Sequence, residues 1–460
     1  MERFDAIVIG TGQAGPPLAV RLAKAGRQVA ILERARFGGT CVNTGCIPTK
    51  TMVASARAAW TARNAAEFGV QVGEVRVDMK RVKERKDQVS GASNEGVTKW
   101  LETTPGVTVI RGQGRFSGPR TIRVGERELT AEQVFINVGG RAIRPSLPGL
   151  DAVPYWTNSS IMAVDFLPPH LLILGGGYVA LEFAQMYRRF GSEVTVLELG
   201  PRLLPREDED ISTEIRAILE AEGVRVICGA EAVQVSGAAG AIEIALRGGE
   251  AVRGSHLLVA VGREPNTADL GLREAGVETD ARGYIKVDDE LRTTAEGVWA
   301  LGDCNGKGAF THTSYNDYEI VAANLLHGEH RKVSDRVPAY ALYIDPPLGR
   351  AGMSEAEART SGAQVLAARM PMSRVGRARE RSETRGFMKA LVDAKTKRLL
   401  GASLLGINAD EVIHLFIDVM TAQAPYTVIT RAMHIHPTVA ELIPTLLEGL
   451  KPLEQAPDRP

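Results

Sequence analysis

Residues 5–34 read DAIVIGTGQAGPPLAVRLAKAGRQVAILER. An apolar, β-branched run meets a cluster of glycines. The segment LAVRLAKAG follows with helical periodicity, and a second apolar run closes on Glu33. That order is a βαβ unit. Gly10-Thr-Gly12-Gln-Ala-Gly15 fits G-x-G-x-x-G. In that pattern the first Gly permits the tight turn, the second admits a pyrophosphate to the backbone, and the third lets helix pack on strand. Phosphates sit at the helix N-terminus, where free N–H groups and the dipole favour anions. Glu33 is placed to accept from ribose hydroxyls. Glycines alone would make only a tight turn; strand, helix and acid at the right distances favour a dinucleotide site. Pro16 and Pro17 fit the first helical turn, whose N–H groups lack intrahelical partners.

Residues 171–199 repeat the pattern: strand LLILGG, helix ALEFAQMYRRFG, strand EVTVLE. Gly175-Gly-Gly177-Tyr178-Val-Ala180 is a second fingerprint, with Ala180 in the permitted third position. Glu33 and Glu198 each close their unit 23 positions after its first glycine. A further duplication follows. VFINVGGRAIRP (134–145) and LLVAVGREPN (257–266, with Gly262) are both apolar strands running into Val-Gly, then Arg and Pro. An acid at Glu198 accepts from a ribose 2′-OH and repels a 2′-phosphate, so NADH is favoured; Arg202 nearby leaves NADPH open.

These repeats predict an α/β fold with two Rossmann-like dinucleotide-binding domains and a C-terminal α+β domain. The stretch TTAEGVWALGD (293–303) reads as a strand ending on a loop Asp that rejoins the first domain. The expected boundaries are 1–150 with 266–335 for the first domain, 151–265 for the second and 336–460 for the third. In the third, 338–352 reads as irregular and Pro-rich. GFMKALVD and LLGASLLG read as antiparallel strands, 410–422 and 440–450 as helices, and the tail 451–460 as frayed.

The chain has 460 residues, enough for about two to four domains. Lys+Arg and Asp+Glu both number 55, so no basic footprint for nucleic acid or an anionic membrane stands out. No apolar run approaches the length of a membrane span, and the opening MERFDAIVIG has no signal-peptide pattern; a cytoplasmic location is expected. The cysteines are Cys41, Cys46, Cys228 and Cys304. So few in so long a chain suit a reducing compartment with one catalytic pair.

That pair lies in Gly38-Gly39-Thr40-Cys41-Val-Asn-Thr-Gly45-Cys46-Ile-Pro-Thr-Lys50. A helix entered here, with Gly45 easing the backbone, brings the sulfurs within disulfide reach, and a helix N-terminus stabilises thiolate. Two thiolates without a third ligand make a poor zinc site, so no resident metal is expected. This motif, after an FAD-type glycine loop, resembles the class I pyridine nucleotide–disulfide oxidoreductases over essentially the whole chain. The family includes dihydrolipoamide dehydrogenase, glutathione reductase and mercuric reductase. The resemblance implies FAD with Gly39, Thr40 and Asp303 among its contacts, Asp303 at the ribityl chain. It implies that Cys46 is the flavin-side sulfur and Cys41 the interchange sulfur. Lys50 pairs with Glu182 near the flavin, and Tyr178 gates the nicotinamide pocket.

His434-Ile-His436-Pro-Thr-Val-Ala-Glu441 suits proton management, since histidine titrates in the right range and a carboxylate orients it. The family's H-P-T-x-x-E makes His436 the acid–base and Glu441 its orienter, acting from the partner subunit of a homodimer. A cis bond at His436–Pro437 is compatible with this segment. His434, Met433 and Trp299 read as packing residues, Cys304 as a small buried thiol, and Cys228 as core or surface. The expected activity is an NAD(P)H-dependent flavoprotein disulfide oxidoreductase. Its acceptor is a disulfide or dithiol such as lipoamide, because the retained dyad suits thiol exchange. A mercuric- or copper-type metal-ion reductase is the first alternative, on the resemblance of GGGYVALEFAQMYRRFGSEVTVLE and PRLLPREDEDI to a mercuric-reductase-like branch. A redox sensor or complex subunit is the second.

Overall fold

In the computed structural model, which describes residues 1–453, two parallel sheets are built on the two repeats. In the first, Val107–Arg111, Val29–Glu33, Glu2–Ile9 and Arg127–Ile136 lie side by side, all parallel. Ala6–Ile9 are buried on both faces, which is why this strand reads as a continuous apolar run rather than an alternation. The far half of Arg127–Ile136 carries a meander of Thr121–Val124 and Arg115–Gly118. Strand Val298–Ala300 also joins this sheet, parallel to Val134–Ile136.

The second sheet runs Val224–Cys228, Glu193–Glu198, His170–Leu174, His256–Val259, again parallel. The duplicated segments that leave the two sheets meet: Gly140–Ala142 pairs antiparallel with Arg263–Pro265. Helix Tyr178–Phe190 follows the second glycine loop and is buried on nearly every face. It shares one core with Met52 and Ala56 of helix Cys46–Arg63. Phe183, 1% exposed, is one anchor of that contact; truncating it to Ala would cost about 3–5 kcal/mol. The packing matters because the same two helices carry Lys50 and Glu182.

The C-terminal region is a six-stranded antiparallel sheet. Phe387–Asp393 and Leu399–Leu405 form at its centre where the alternating segments predicted them, and helix Ala409–Thr421 covers one face. Three expectations need correction. The stretch 338–352 is not irregular: Ala339–Leu342 and Leu348–Gly352 make a hairpin, Leu342 opposite Leu348. Pro338 precedes the first strand and Pro346 and Pro347 sit in the turn, where a missing N–H breaks no ladder bond. The helix expected at 440–450 is split into a 3-10 turn, Ala440–Leu442, and a short helix, Ile443–Glu448. Pro444 lacks the N–H needed to continue the earlier turn, so the helix starts beside it. The tail is not frayed throughout: Lys451–Pro452 pairs with Leu366–Ala367, while 454–460 lie outside the described residues. Among the described residues no helix is long and apolar enough to cross a membrane.

Candidate active site

The first glycine loop leaves strand Glu2–Ile9 with Gly10 at φ +102, where a Cβ would stand 2.4 Å from the Asn137 carbonyl oxygen. A Cβ on Gly15 would stand 2.3 Å from the Gly10 carbonyl oxygen, so only glycines let helix Gly15–Lys24 approach the strand this closely. Glu33 folds back over the loop. Its Oε2 accepts from the Thr11 amide (3.1 Å) and hydroxyl (2.6 Å), and Oε1 accepts from the Ala35 amide at 2.8 Å. Gly39 presses against the same loop; a Cβ on it would meet Gly12 Cα at 2.8 Å.

These residues open onto a cleft of ≈ 630 Å³, whose wall continues through Thr40, Cys41, Cys46, Lys50, Tyr178 and Asp303. The volume is in the range of cofactor sites. Asn137 Nδ2 is buried beside the loop with no hydrogen-bond partner, a spare donor aimed at the cradle. Asp303 sits on the turn Gly302–Asn305, where burial pushes its carboxyl up while Arg263 Nη2, 3.0 Å away, pulls it down. A cradle that any side chain would fill, a spare amide donor and a held carboxylate fit a dinucleotide with a sugar-like linker.

The second loop repeats the first. Gly175 has φ +106, and a Cβ on it would stand 2.5 Å from the Ala260 carbonyl oxygen. Glu198 accepts from the Gly176 amide (2.5 Å) and the Gly200 amide (2.7 Å). Gly177 precedes helix Tyr178–Phe190, Ala180 is fully buried, and Gly262 (φ +130) sits in the turn before Arg263. Arg202 donates to the carbonyls of Pro205 (3.2 Å) and Glu207 (3.1 Å).

Cys41 lies on the short helix Gly39–Asn43, and Cys46 is the first residue of helix Cys46–Arg63. Both are free thiols and only partly exposed. The Thr311 hydroxyl, at the first position of helix Thr311–His327, lies 3.0 Å from Cys46 Sγ. Two helix N-termini therefore converge on one sulfur, where their partial positive charge stabilises thiolate. A hydrogen bond from Cys41 is the largest influence on Cys46; Thr311 and the Lys50 charge add to it against the effect of burial, and its pKa falls to about 6. Cys41 moves the opposite way, pushed far up by its bond to Cys46 and by burial. Within the pair, charge is therefore favoured on Cys46 over Cys41.

One turn along, Lys50 Nζ donates to both oxygens of Glu182, at 2.8 and 2.7 Å. Glu182, 5% exposed, also accepts from the Tyr343 amide at 3.0 Å, and Lys50 stands over the Tyr343 ring. This ion pair joins helix Cys46–Arg63 to helix Tyr178–Phe190 of the second repeat.

His436 and Glu441 are brought together: Nδ1 lies 2.9 Å from Oε2 and 3.2 Å from Oε1, and His436–Pro437 is cis. The dyad is not brought to the thiols. His436 is 80% exposed, and the lining of the cleft includes nothing from 434–441. Met433 is not a packing residue in this chain; it is 99% exposed, and Ile435 is 78% exposed. His434 Nε2 lies 3.1 Å from the Ile429 carbonyl oxygen, and Trp299 stacks on Phe135. Cys304 is fully buried, with its pKa pushed up by burial to about 12, and Cys228 is half-buried opposite Glu198. Sequence reasoning missed Thr311, Asn137, Arg263 and Tyr343.

Residues 4–317 match the family described as "Pyridine nucleotide-disulphide oxidoreductase", and 338–447 match its dimerisation domain. The chain is 39% identical to the probable pyridine nucleotide-disulfide oxidoreductase RclA of Escherichia coli K12, over 98% of this chain and 100% of that protein. It is 34% identical to the dihydrolipoyl dehydrogenase of Thermus scotoductus, over 98% of both. It is 33% identical to the mercuric reductase of Acidithiobacillus ferrooxidans, over 98% of this chain and 82% of that one. Among solved structures, the Cu(II) complex of the HOCl-induced flavoprotein disulfide reductase RclA from Escherichia coli superposes with a TM-score of 0.90 at 38% identity. The overlap covers 97% of this chain and 99% of that one.

Proposed function

The chain belongs to the pyridine nucleotide–disulfide oxidoreductases, a FAD-dependent family that uses NAD(P)H, and from that premise we propose that it moves electrons from NADH to a disulfide acceptor through Cys41 and Cys46. The observation that carries this reading is the thiol pair itself. Cys46 is held as the thiolate beside Thr311 and Lys50, in a cleft continuous with the first glycine loop. The domain boundaries 1–150 with 266–335, 151–265 and 336–460 go with it, supported by the pairing of Val298–Ala300 with the first sheet.

Gly10, Gly12, Gly15, Gly39, Thr40 and Asn137 would hold FAD, with Glu33 at a ribose and Asp303 at the linker. Bound FAD supplies the two-electron relay between nicotinamide and disulfide. Gly175, Gly177, Ala180 and Gly262 would hold the nicotinamide cofactor, with Tyr178 at the entrance. NADH is favoured because Glu198 would face the ribose and Arg202, a nearby cation, is engaged with backbone carbonyls.

In the reduced pair the proton rests on Cys41 Sγ and the charge on Cys46 Sγ. Cys41 must lose that proton before it attacks. His436 is suited to take it: Nδ1 is held by Glu441, which leaves Nε2 free and exposed. Cys41 Sγ then bonds one sulfur of the acceptor, and the departing thiolate takes a proton back from His436. Cys46 Sγ attacks Cys41 Sγ, re-forming the Cys41–Cys46 bond and expelling the second sulfur as a thiolate, which takes its proton from solvent. The exposure of His436 supports a homodimer in which each chain lends its dyad to the other.

A metal-ion acceptor is the second reading. The specific support is the solved Cu(II) complex of a 38% identical chain. Anaerobic titration with NADH tests the core of both. A long-wavelength charge-transfer band that disappears in Cys46→Ser is expected. Bleaching of the flavin with no such band in the wild type would refute the dithiol cycle. Turnover with lipoamide, small disulfides, Hg(II) and Cu(II) then separates the acceptors.

A further inference from the structure

Tyr178 stands at the point where the second repeat meets the cleft. The wall that this repeat contributes begins at Tyr178 and runs through Val179, Glu182 and Phe183; the glycines before it lie outside. A nicotinamide held by the Gly175–Gly177 loop must therefore pass the Tyr178 ring to reach the cleft. That ring packs on Phe310 at 5.4 Å, and Phe310 lies flat on Tyr340, centroids 5.3 Å apart and planes 3° from parallel. The Tyr340 hydroxyl donates to Glu207 Oε1.

Glu207 is buried at the far end of this row. Its side chain is 4% exposed, Arg350 Nε lies 3.8 Å from it, and its neighbour Asp208 is fixed by Lys389 Nζ at 2.9 Å. Lys389, 2% exposed, also pairs with Asp210 (2.9 Å) and Glu355 (3.1 Å). This ionic knot joins the second repeat to the C-terminal sheet, so the row Glu207–Tyr340–Phe310–Tyr178 is braced at its far end.

We propose that Tyr340 and Glu207 are positioning residues that keep Phe310 pressed forward and thereby hold Tyr178 across the nicotinamide path. The proposal rests on the reading of the second loop as the nicotinamide site. Its consequence follows from population arithmetic. If the closed ring must leave Phe310 before the cofactor enters, the apparent dissociation constant is the intrinsic one divided by the open fraction. Weakening the brace raises that fraction and tightens apparent binding.

The test uses the FAD-loaded, full-length protein and stopped-flow reduction by NADH under anaerobic conditions. Tyr340→Leu removes the stack; Tyr340→Phe removes only the tether to Glu207. The expected result is a fall in the apparent NADH dissociation constant of about two- to tenfold in Tyr340→Leu, the range one aromatic contact is worth. A smaller fall is expected in Tyr340→Phe. Turnover at saturating NADH, flavin content and the Cys46 thiolate titration should stay at wild-type values. Unchanged or weaker NADH binding in both variants would overturn the proposal. So would loss of flavin in step with both half-reactions, which would mark Tyr340 as structural only. A wild-type enzyme that NADH does not reduce would remove the underlying reading together with this one, whereas a normal wild type with inert variants removes this one alone.

Discussion

Thr311→Val is the sharpest probe of the thiolate. The Thr311 hydroxyl lies 3.0 Å from Cys46 Sγ, and valine keeps the shape while deleting the donor. A hydrogen bond to a charged group contributes about 1.5–3 kcal/mol, and a pKa unit corresponds to about 1.4 kcal/mol. The bond favours the charged sulfur, so its loss raises the pKa of Cys46 by about one to two units. The wild-type value near 6 should therefore move to about 7–8. The assay is the rate of iodoacetamide alkylation of the reduced enzyme between pH 5 and 9, with Cys41 replaced by serine in a parallel series to assign the sulfur. The charge-transfer band, titrated over the same range, reads the same proton without alkylation. Thr311→Ser retains the hydroxyl and should titrate like the wild type. A midpoint that does not move in Thr311→Val would refute the reasoning, because Cys41, the helix N-termini and Lys50 would then account for the thiolate without Thr311.

Three further substitutions address other parts of the site. Lys50→Met leaves Glu182 buried without its cation and should destabilise the protein by on the order of 3 kcal/mol, read as a shift in urea midpoint; Lys50→Met with Glu182→Leu should recover much of that loss. His436→Gln should slow turnover with a disulfide acceptor by about 10²–10⁴ while leaving reduction by NADH unchanged. Mixing it with Cys46→Ser chains should restore part of the activity, provided the dyad serves the other subunit. Glu198→Ala should shift the ratio of kcat/KM for NADPH over NADH upward by about ten- to a hundredfold, the worth of one charge-assisted hydrogen bond; an unchanged ratio would show that Glu198 does not select the cofactor.

The parts of the site that were legible in the sequence are those whose chemistry is local. Cys41, Cys46 and Lys50 fall within ten positions and one helix start. The glycine loops carry their own turn geometry, and Glu33 and Glu198 lie one βα unit further on. His436 and Glu441 are five apart and meet directly. Residues that act across long separations left no such trace. Thr311 is 265 positions from Cys46, and Arg263 reaches Asp303 only because two duplicated strands pair with each other. Tyr343 supports Glu182 through its backbone, which no side-chain pattern could announce. The hairpin at 339–352 was hidden for a different reason: prolines at strand ends look like prolines that break strands until the register is known.

The charge state of the thiols also bears on where the acid–base must come from. The bond to Cys46 and burial push the Cys41 thiol up, so on the proposed cycle its attack calls for a nearby base. The cleft has one histidine of its own, His312, but its Nε2 is 2.6 Å from the Ala339 carbonyl oxygen, its ring lies flat on Phe310, and burial holds its pKa down. It is poorly placed to collect a proton from Cys41. His436 has the opposite character: Glu441 holds its Nδ1, and among the described residues nothing covers its ring, which is 80% exposed. Its neighbours Met433 and Ile435 are apolar and almost fully exposed, an arrangement that burial against another surface would favour by about 25 cal/mol per Å². Among the described residues, the histidine–carboxylate dyad of one chain thus stands apart from that chain's own thiols. The proposed two-fold dimer would resolve both at once, since a symmetry that brought one dyad to the partner's cleft would bring the partner's dyad back.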